Sequence, residues 1–292
     1  MSVLRSIKFF VKSVVFGSLL AGCALYGVIA SIVLRIVRKG EYAQYTVARA
    51  FYHSFSTLLG ITVKIKNEER LLDTPAIFVS NHQSALDILI LGKVFQPGYT
   101  VTGKKSLKYV PFLGWFMYLS GTFFLDRSKG EKARKVLESA LASLKRDNRA
   151  LFIFPEGTRS GLEKLDFLPF KKGAFHLAKQ AGIPVIPLVF SNYSNLFNAK
   201  NKTFNRGEIQ VDVLPPMSTE HLKTNEDVTE FAAKVREAML ASMKEVGFAK
   251  LRGAKEKDDQ KEIDEEDVSD VNTDTDTSIE IISEQTPLVS KD

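Results

Sequence analysis

Cysteine is almost absent from this chain: Cys23 is the only one among 292 residues, and it lies inside an apolar run. One thiol excludes an intrachain disulfide framework, and without charged neighbours to favour the thiolate it is no candidate nucleophile. Histidine is scarce as well. His53, His82, His176 and His221 lack the i,i+4 or Cys/His spacings of a zinc centre, so no metal site is expected. A G-x-S-x-G nucleophile elbow is missing. The stretch GYTVTGKK (98–105) falls one residue short of a phosphate-binding P-loop, because Lys105 stands where a Ser or Thr hydroxyl must reach magnesium. In DVNTDTDTSIEI, a calcium loop in outline, Thr replaces the turn glycine and Ile the terminal ligand.

What the chain does have is apolar content and a divided charge. Its 45% hydrophobic and 25% charged residues suit a packed core and exclude wholesale disorder. From Ala254 onward there are 4 basic and 14 acidic residues, a balance of −10 against +6 for the whole chain, so the part before it carries +16. A body that basic fits nucleic acid, anionic lipid or phosphorylated small substrates. Nucleic acid is not the expected partner: the basic residues are dispersed, and the N-terminal segment described next is an awkward companion for it.

From Val14 to Leu34 run 21 uncharged residues, close to the roughly 20 that cross a bilayer core as a helix. The run exceeds the ~7–15-residue apolar core of a cleaved signal peptide, so residues 1–40 are expected to form a transmembrane or membrane-associated anchor. Arg5, Lys8 and Lys12 flank one end and Arg35, Arg38 and Lys39 the other, so charge assigns no orientation. The next segment, 41–66, mixes aromatic and aliphatic residues at helical spacings. It reads as an amphipathic interfacial segment or, equally, as a core helix, with His53 a packed or interfacial side chain. The tail, 251–292, is acidic, rich in Ser and Thr and poor in aromatics; it buries too little to repay ordering and is expected to be disordered.

β and α signals alternate in between. ITVKI and AIFVSN are followed by a helix over 84–94, YTVTG, a charged helix over 130–146, ALFIF, GAFHLAKQAG and IPVIPLVF, and a closing helix over 227–246 is stopped by Gly247. This pattern predicts an α/β fold with a mostly parallel sheet flanked by helices, residues 67–250 forming the main domain and any site lying at the carboxyl ends of strands. The 17-residue run YVPFLGWFMYLSGTFFL is interrupted by Pro111, Gly114 and Gly121, and it predicts a helix leading into a strand near the bilayer.

Several strand ends carry chemistry. In NHQSALD (81–87), Ser84-x-x-Asp87 ahead of ILIL reads as a capping box. It reads also as a proton-transfer pair in which Asp87 fixes the tautomer of His82, and one carboxylate in a first helical turn can serve both roles. In FIFPEGTRSG, Gly157 suits a positive φ or a close backbone approach, and Arg159 offers a fork of donors matched to a phosphate. A surface turn with a Glu156–Arg159 ion pair is the competing reading. GTFFLDRS ends a further strand in Asp126 and Arg127, and IPVIPLV brackets another with Pro184 and Pro187. Such ends point to one convergent site.

Taken in order, NHQSALD, GTFFLDR, FPEGTR and IPVIPLV resemble the four blocks of the glycerolipid acyltransferases: NHx4D, a glycine-aromatic-Asp-Arg strand, FPEGTR and a proline-bracketed hydrophobic strand. The resemblance runs from the anchor to about Gly247, and KKSLKYVPFLGWFM is similar to the fungal 1-acylglycerol-3-phosphate acyltransferases in particular. It implies transfer of a fatty acyl group from acyl-CoA to the sn-2 hydroxyl of lysophosphatidic acid. The products would be phosphatidic acid and CoA, in phospholipid and triacylglycerol biosynthesis. The implied setting is a membrane, that of the endoplasmic reticulum, with the catalytic domain in the cytosol. On the same resemblance His82 is the general base and Asp87 its orienter. Arg159, with Glu156 and Gly157, organises the acceptor's phosphate end, and Lys105 and Arg127 are further substrate-binding positions.

No cofactor is implied, acyl-CoA being a co-substrate. Direct attack in a ternary complex is expected in place of an acyl-enzyme, since Ser84 is better used as a cap. Two other functions stay open: an acyltransferase for another lysophospholipid or for glycerol 3-phosphate, and a non-enzymatic lipid-binding or membrane-shaping protein. With a cytosolic body, the N-x-S/T matches at Asn192 and Asn201 are chance matches rather than glycan acceptors. The sequence names no protein partner.

Overall fold

Strand β2 (Ala76–Ser80) is buried along its whole length, as its uninterrupted apolar run requires: a central strand of a sheet covered on both faces presents no side chain to water. The computed structural model describes residues 3–125, 141 and 144–253, and β2 lies in the middle of an eight-stranded sheet. The order is β1 (Ile61–Lys66), β9 (Gly207–Val213), β6 (Val185–Phe190), β2, β5 (Ala150–Ile153), β3 (Tyr99–Lys104) and β4 (Phe123–Leu125), with β10 (Lys250–Leu251) added to β9. β2 pairs parallel with both β5 and β6, β3 with β4 and β5, and β1 with β9. The antiparallel pairs of this sheet are β6 with β9 and β9 with β10.

The two-residue period of a strand sorts the sheet into two layers. Ala76 and Phe78 face a core shared with α2 (Ala43–Leu59) and α3 (Asp87–Val94), whereas Ile77 and Val79 face one shared with α5 (Gly173–Ala181) and α6 (Asn225–Val246). Helix α6 opens on a capping box. Thr224 Oγ1 accepts from Asp227 N at 3.0 Å, Asp227 Oδ2 accepts from Thr224 N at 2.8 Å, and the helix stops at Gly247.

Two of the expected boundaries need correction. Segment 41–66 is no interfacial appendage: it supplies α2, whose Val47, Phe51, Phe55 and Leu59 are buried at four-residue spacing, and the edge strand β1. An apolar stripe of that kind is satisfied by α3 and the sheet, so one packing unit runs through 40 and 66 without a break and ends at Gly253. The tail expected from 251 also begins later, because Lys250 and Leu251 pair with Glu208 and Gly207. Residues 254–292, and most of the charged helix expected over 130–146, lie outside the described residues.

Helix α1 (Val3–Ile36) is, among the described residues, the one helix long and apolar enough to cross a membrane by length and composition. The protein itself uses one stripe of it. Ala24, Gly27 and Ser31 are buried, and Phe9, Phe16 and Leu20 pack onto the core beneath α2. A Cβ at Gly27 would stand 2.6 Å from the ring of Phe116 in α4 (Leu113–Leu119), so glycine is what allows that approach. Near the start of α1, Arg5 donates to Thr203 Oγ1 at 2.6 Å and Lys12 to Phe204 O at 2.7 Å. Both acceptors belong to the hairpin of β7 (Phe197–Asn198) and β8 (Thr203–Phe204). The opposite stripe, including Phe10, Val14, Ile29, Val33 and Ile36, is exposed. The run broken by Pro111 and Gly121 forms α4 and then β4, as the sequence predicts, and leaves Tyr109, Trp115 and Tyr118 exposed.

Candidate active site

Strands β6, β2 and β5 are neighbours and parallel, so their carboxyl ends come together, and the first, third and fourth motif blocks come with them. β2 hands over to Asn81, a buried amide. Its Oδ1 accepts from Phe190 N at 2.8 Å and its Nδ2 donates to Phe190 O at 3.0 Å. A buried polar side chain needs partners, and Asn81 takes both from the last residue of β6. Gln83 repeats the device, donating from Nε2 to Ser191 O at 3.0 Å and accepting from Tyr193 N at 3.1 Å.

Between these two clamps His82 is held on every side. Nδ1 lies 2.6 Å from Asp87 Oδ2, and the ring stacks on Phe154 with centroids 4.1 Å apart and planes inclined by 16°. The His82 N–H donates to Glu156 Oε1 at 2.7 Å, and its carbonyl accepts from Ser160 N at 2.7 Å. Because an ionised carboxylate only accepts, Nδ1 carries the proton and Nε2 is left as the basic nitrogen.

Asp87 is the more enclosed partner, its side chain 3% exposed against 21% for His82. Oδ2 accepts also from Gln83 N at 2.9 Å and Ser84 N at 3.2 Å, and Oδ1 accepts from the Tyr193 hydroxyl at 2.5 Å. Helix α3 begins at Asp87 rather than at residue 84; residues 84–86 form a turn in which Ser84 Oγ accepts from Leu86 N at 3.0 Å. Helix start and His82–Asp87 pair are therefore one construction, since the carboxylate that closes the turn is the one hydrogen-bonded to His82 Nδ1.

FPEGTR forms a turn closed by Gly157 N donating to Phe154 O at 3.1 Å, with Gly157 at φ 70°. A Cβ there would come within 2.8 Å of Lys171 Nζ, the movable end of a flexible side chain, so the demand for glycine at this turn is that of the backbone. Glu156 is buried, and each oxygen is occupied by a main-chain amide: Oε1 by His82 N, Oε2 by Leu168 N at 3.0 Å. Burial pushes the Glu156 carboxyl above the usual carboxylate range, with the two amide donors working against it. Among the described residues no Glu156–Arg159 ion pair forms. Arg159 is exposed, and its loop is pinned to the first block by Ser160 N and by Gly161 N, which donates to Gln83 O at 3.1 Å.

A cavity of about 310 Å³ opens beside the pair. His82, Ser84, Asp87, Phe154 and Arg159 line it, and beyond them the walls are mostly apolar, with Leu20, Ala24, Val47, Leu91 and Phe116 from four helices, interrupted by Gln44, Thr102 and Thr122. Its volume sits at the lower end of the ~300–1,000 Å³ typical of small-molecule sites. A larger cavity of about 590 Å³ is lined by Arg35, Glu41, Gly98, Asp147 and Arg149. Gly98 and Arg149 immediately precede β3 and β5, so that cavity lies at the amino ends of the strands and holds none of the groups just described.

Of the residues expected at the site, His82, Asp87, Glu156, Gly157 and Arg159 come together. Lys105 opens an exposed 3₁₀ turn, Lys105–Tyr109, directly after β3, and Leu107 of that turn lines the cavity. Arg127 lies outside the described residues. Sequence reasoning missed Asn81, Gln83, Phe154 and Tyr193. An amide directly beyond a buried strand is a signal that finds Asn81; Tyr193, three residues beyond β6, carries none.

The model of the family described as "Acyltransferase" matches residues 62–191, from β1 to just past the end of β6. A 1-acyl-sn-glycerol-3-phosphate acyltransferase of Saccharomyces cerevisiae is 52% identical over 249 residues, 85% of this chain and 82% of that protein. The human 1-acyl-sn-glycerol-3-phosphate acyltransferase beta is 34% identical over 220 residues, 75% of this chain and 77% of that one. Among solved structures, the 1-acyl-sn-glycerophosphate (LPA) acyltransferase PlsC from Thermotoga maritima superposes with a TM-score of 0.62 at 23% identity. It covers 83% of this chain and 95% of its own, a likeness of fold. By its kinship over most of its length, the chain belongs to the 1-acyl-sn-glycerol-3-phosphate acyltransferase family.

Proposed function

We propose that the protein transfers a fatty acyl group from acyl-CoA to the sn-2 hydroxyl of lysophosphatidic acid, forming phosphatidic acid and CoA. The observation that carries this reading is the His82–Asp87 pair, 2.6 Å apart, on the wall of an apolar cavity that Arg159 also lines. A base, an acyl-compatible chamber and a cation matched to phosphate then lie within one site.

An alcohol is a weak nucleophile at neutral pH. In the proposed mechanism Nε2 of His82 takes the acceptor's hydroxyl proton as that oxygen attacks the thioester carbonyl, and Asp87 steadies the imidazolium that forms. The tetrahedral intermediate collapses with cleavage of the carbon–sulfur bond, and the proton passes from His82 to the departing CoA sulfur. Phe154, stacked on the ring, and Glu156, bonded to the His82 main chain, hold the imidazole in position. The acyl chain occupies the apolar cavity, Arg159 and Lys105 meet the acceptor's phosphate, and Glu156 with Gly157 shapes the turn that presents Arg159. No cofactor enters the scheme.

The proposed setting is a membrane surface of the endoplasmic reticulum with the body in the cytosol, where acyl-CoA is found. The exposed apolar stripe of α1 and the exposed Tyr109, Trp115 and Tyr118 supply lipid contacts, and Lys104, Lys105 and Lys108 supply charge for anionic headgroups. The packing of α1 along the body from Arg5 to Gly27 supports a helix that lies in the interface rather than one that threads it. Tags before residue 3 and after residue 253 would then be digested from the same side of sealed vesicles; protection of one tag alone would reject this arrangement.

The primary test is acyl transfer from labelled acyl-CoA to lysophosphatidic acid in membranes carrying the native chain or His82→Ala at equal abundance. Phosphatidic acid from the native chain and none above background from the variant is the expected result. Equal activity in both would remove His82 from the mechanism. Equal rates with lysolipids lacking a terminal phosphate would overturn the assigned acceptor.

A further inference from the structure

Tyr193 is buried in the loop beyond β6, and the mechanism above makes no use of it. Its hydroxyl stands 2.5 Å from Asp87 Oδ1 and 3.0 Å from Ser84 Oγ. The directions of these bonds follow by elimination. A carboxylate only accepts, so the phenol donates to Asp87; with its proton spent, the phenol oxygen accepts from the Ser84 hydroxyl; and Ser84 Oγ accepts from Leu86 N. One polarity therefore runs from the main chain at Leu86 through Ser84 and Tyr193 to Asp87, whose other oxygen faces His82. Burial, and after it the neighbouring Asp87 charge, keep the phenol protonated and hence a donor.

The two carboxylate oxygens are served unequally. Oδ2 holds His82 Nδ1 and the amides of Gln83 and Ser84, whereas Tyr193 is the partner of Oδ1. Without that hydroxyl, Oδ1 would be an unpaired anionic oxygen on a side chain 3% exposed. The carboxylate would then be anchored through Oδ2 alone, and its charge would fall more heavily on His82.

We propose that Tyr193 is a positioning residue for proton transfer, holding Asp87 Oδ1 so that Oδ2 stays aimed at His82 Nδ1 and so that the carboxylate charge is shared between the phenol and the imidazole. The proposal rests on the reading of His82 as general base. It is distinct from a packing role: Tyr193→Phe keeps the ring and removes only the hydroxyl.

The experiment compares native chain, Tyr193→Phe, Ser84→Ala and His82→Ala in membranes at equal abundance. It records kcat, KM for acyl-CoA and lysophosphatidic acid, the pH profile of kcat/KM, and the rate of thermal inactivation. Tyr193→Phe is expected to lower kcat about 10-fold, part of the roughly 10²–10⁴-fold that a positioned base supplies, with both KM values near native. Its acid limb is expected to move to higher pH, because an unrelieved carboxylate favours the imidazolium. Ser84→Ala should move the limb the same way by less. A native kcat and a native limb in Tyr193→Phe would overturn the proposal, as would a loss of activity that only tracks loss of folded enzyme while the limb stays put. If His82→Ala is inactive and Tyr193→Phe behaves as native, this inference alone fails. If His82→Ala is fully active, the general-base reading fails and this inference with it.

Discussion

Glu156 and His82 are joined through the main chain: one Glu156 oxygen accepts the His82 N–H at 2.7 Å while the other accepts Leu168 N at 3.0 Å. The acidic residue of FPEGTR thus acts on the histidine of NHQSALD through the main chain. It fixes where the His82 backbone sits, just as Asp87 fixes how the ring is turned.

Replacing Glu156 by Gln should test this directly. An amide nitrogen cannot accept, so one of the two main-chain N–H groups is left unpaired, at about 1–3 kcal/mol of stability. We expect kcat to fall and thermal stability to drop together, measured on detergent-purified protein at neutral pH. Native activity and stability in the variant would mean that the two amides find other partners.

The same residue has a pH signature. Its pKa is raised above the ordinary 4.5 by burial, so the folded protein takes up this proton more readily than the unfolded chain. Its ionisation therefore costs stability above the folded value, and that cost fades as pH falls through the folded value towards 4.5. Between neutral pH and about pH 4.5, stability of the native chain relative to Glu156→Gln should rise as the medium is acidified. Melting curves of both proteins at several pH values would show it, and a constant difference would contradict the raised pKa.

Arg159 is exposed on the cavity wall, and its loop is tied in place through the amides of Ser160 and Gly161. Arg159→Ala should raise KM for lysophosphatidic acid about 10- to 100-fold, the equivalent of the roughly 1.5–3 kcal/mol of a charged hydrogen bond. Rates with a lysolipid that lacks the terminal phosphate should change little. An equal effect on both acceptors would assign Arg159 to the turn and not to the phosphate.

Ala24, 3% exposed on α1, faces the apolar cavity. A phenylalanine there would fill space that the proposed acyl chain uses, and preference across a series of acyl-CoA chain lengths should move towards shorter chains. Overpacking costs about 1–3 kcal/mol, so thermal stability is measured alongside. An unchanged preference in a folded variant would detach the cavity from the acyl group.

Thr224→Ala serves as the contrast. It removes the side-chain half of the α6 cap, at about 0.5–2 kcal/mol. Helix α6 packs on the sheet face opposite α2 and α3, so activity per folded molecule should match the native chain.

Much of this was written locally. The apolar run AIFV pointed to a buried strand, the alternation of strands and helices pointed to a mostly parallel sheet, and the convergence of His82, Asp87, Gly157 and Arg159 was legible from their places at the ends of strands. Gly247 marked the end of α6, whereas its start, expected at 227, lies at Asn225 behind the Thr224 cap. The sequence could not decide whether 41–66 faces lipid or core, because one apolar stripe serves either surface equally well; only the presence of α3 and the sheet beneath α2 decided it.

The partners of the buried polar groups belonged wholly to the tertiary structure. Tyr193 reaches Asp87 across 106 residues, Glu156 reaches the His82 amide across 74, and Asn81 reaches Phe190 across 109. Local pattern determines which segments bury apolar surface, since that follows from side-chain periodicity along one element. Which donor satisfies which buried acceptor follows instead from the strand order that brings β6, β2 and β5 side by side, and no spacing within a single segment records that choice.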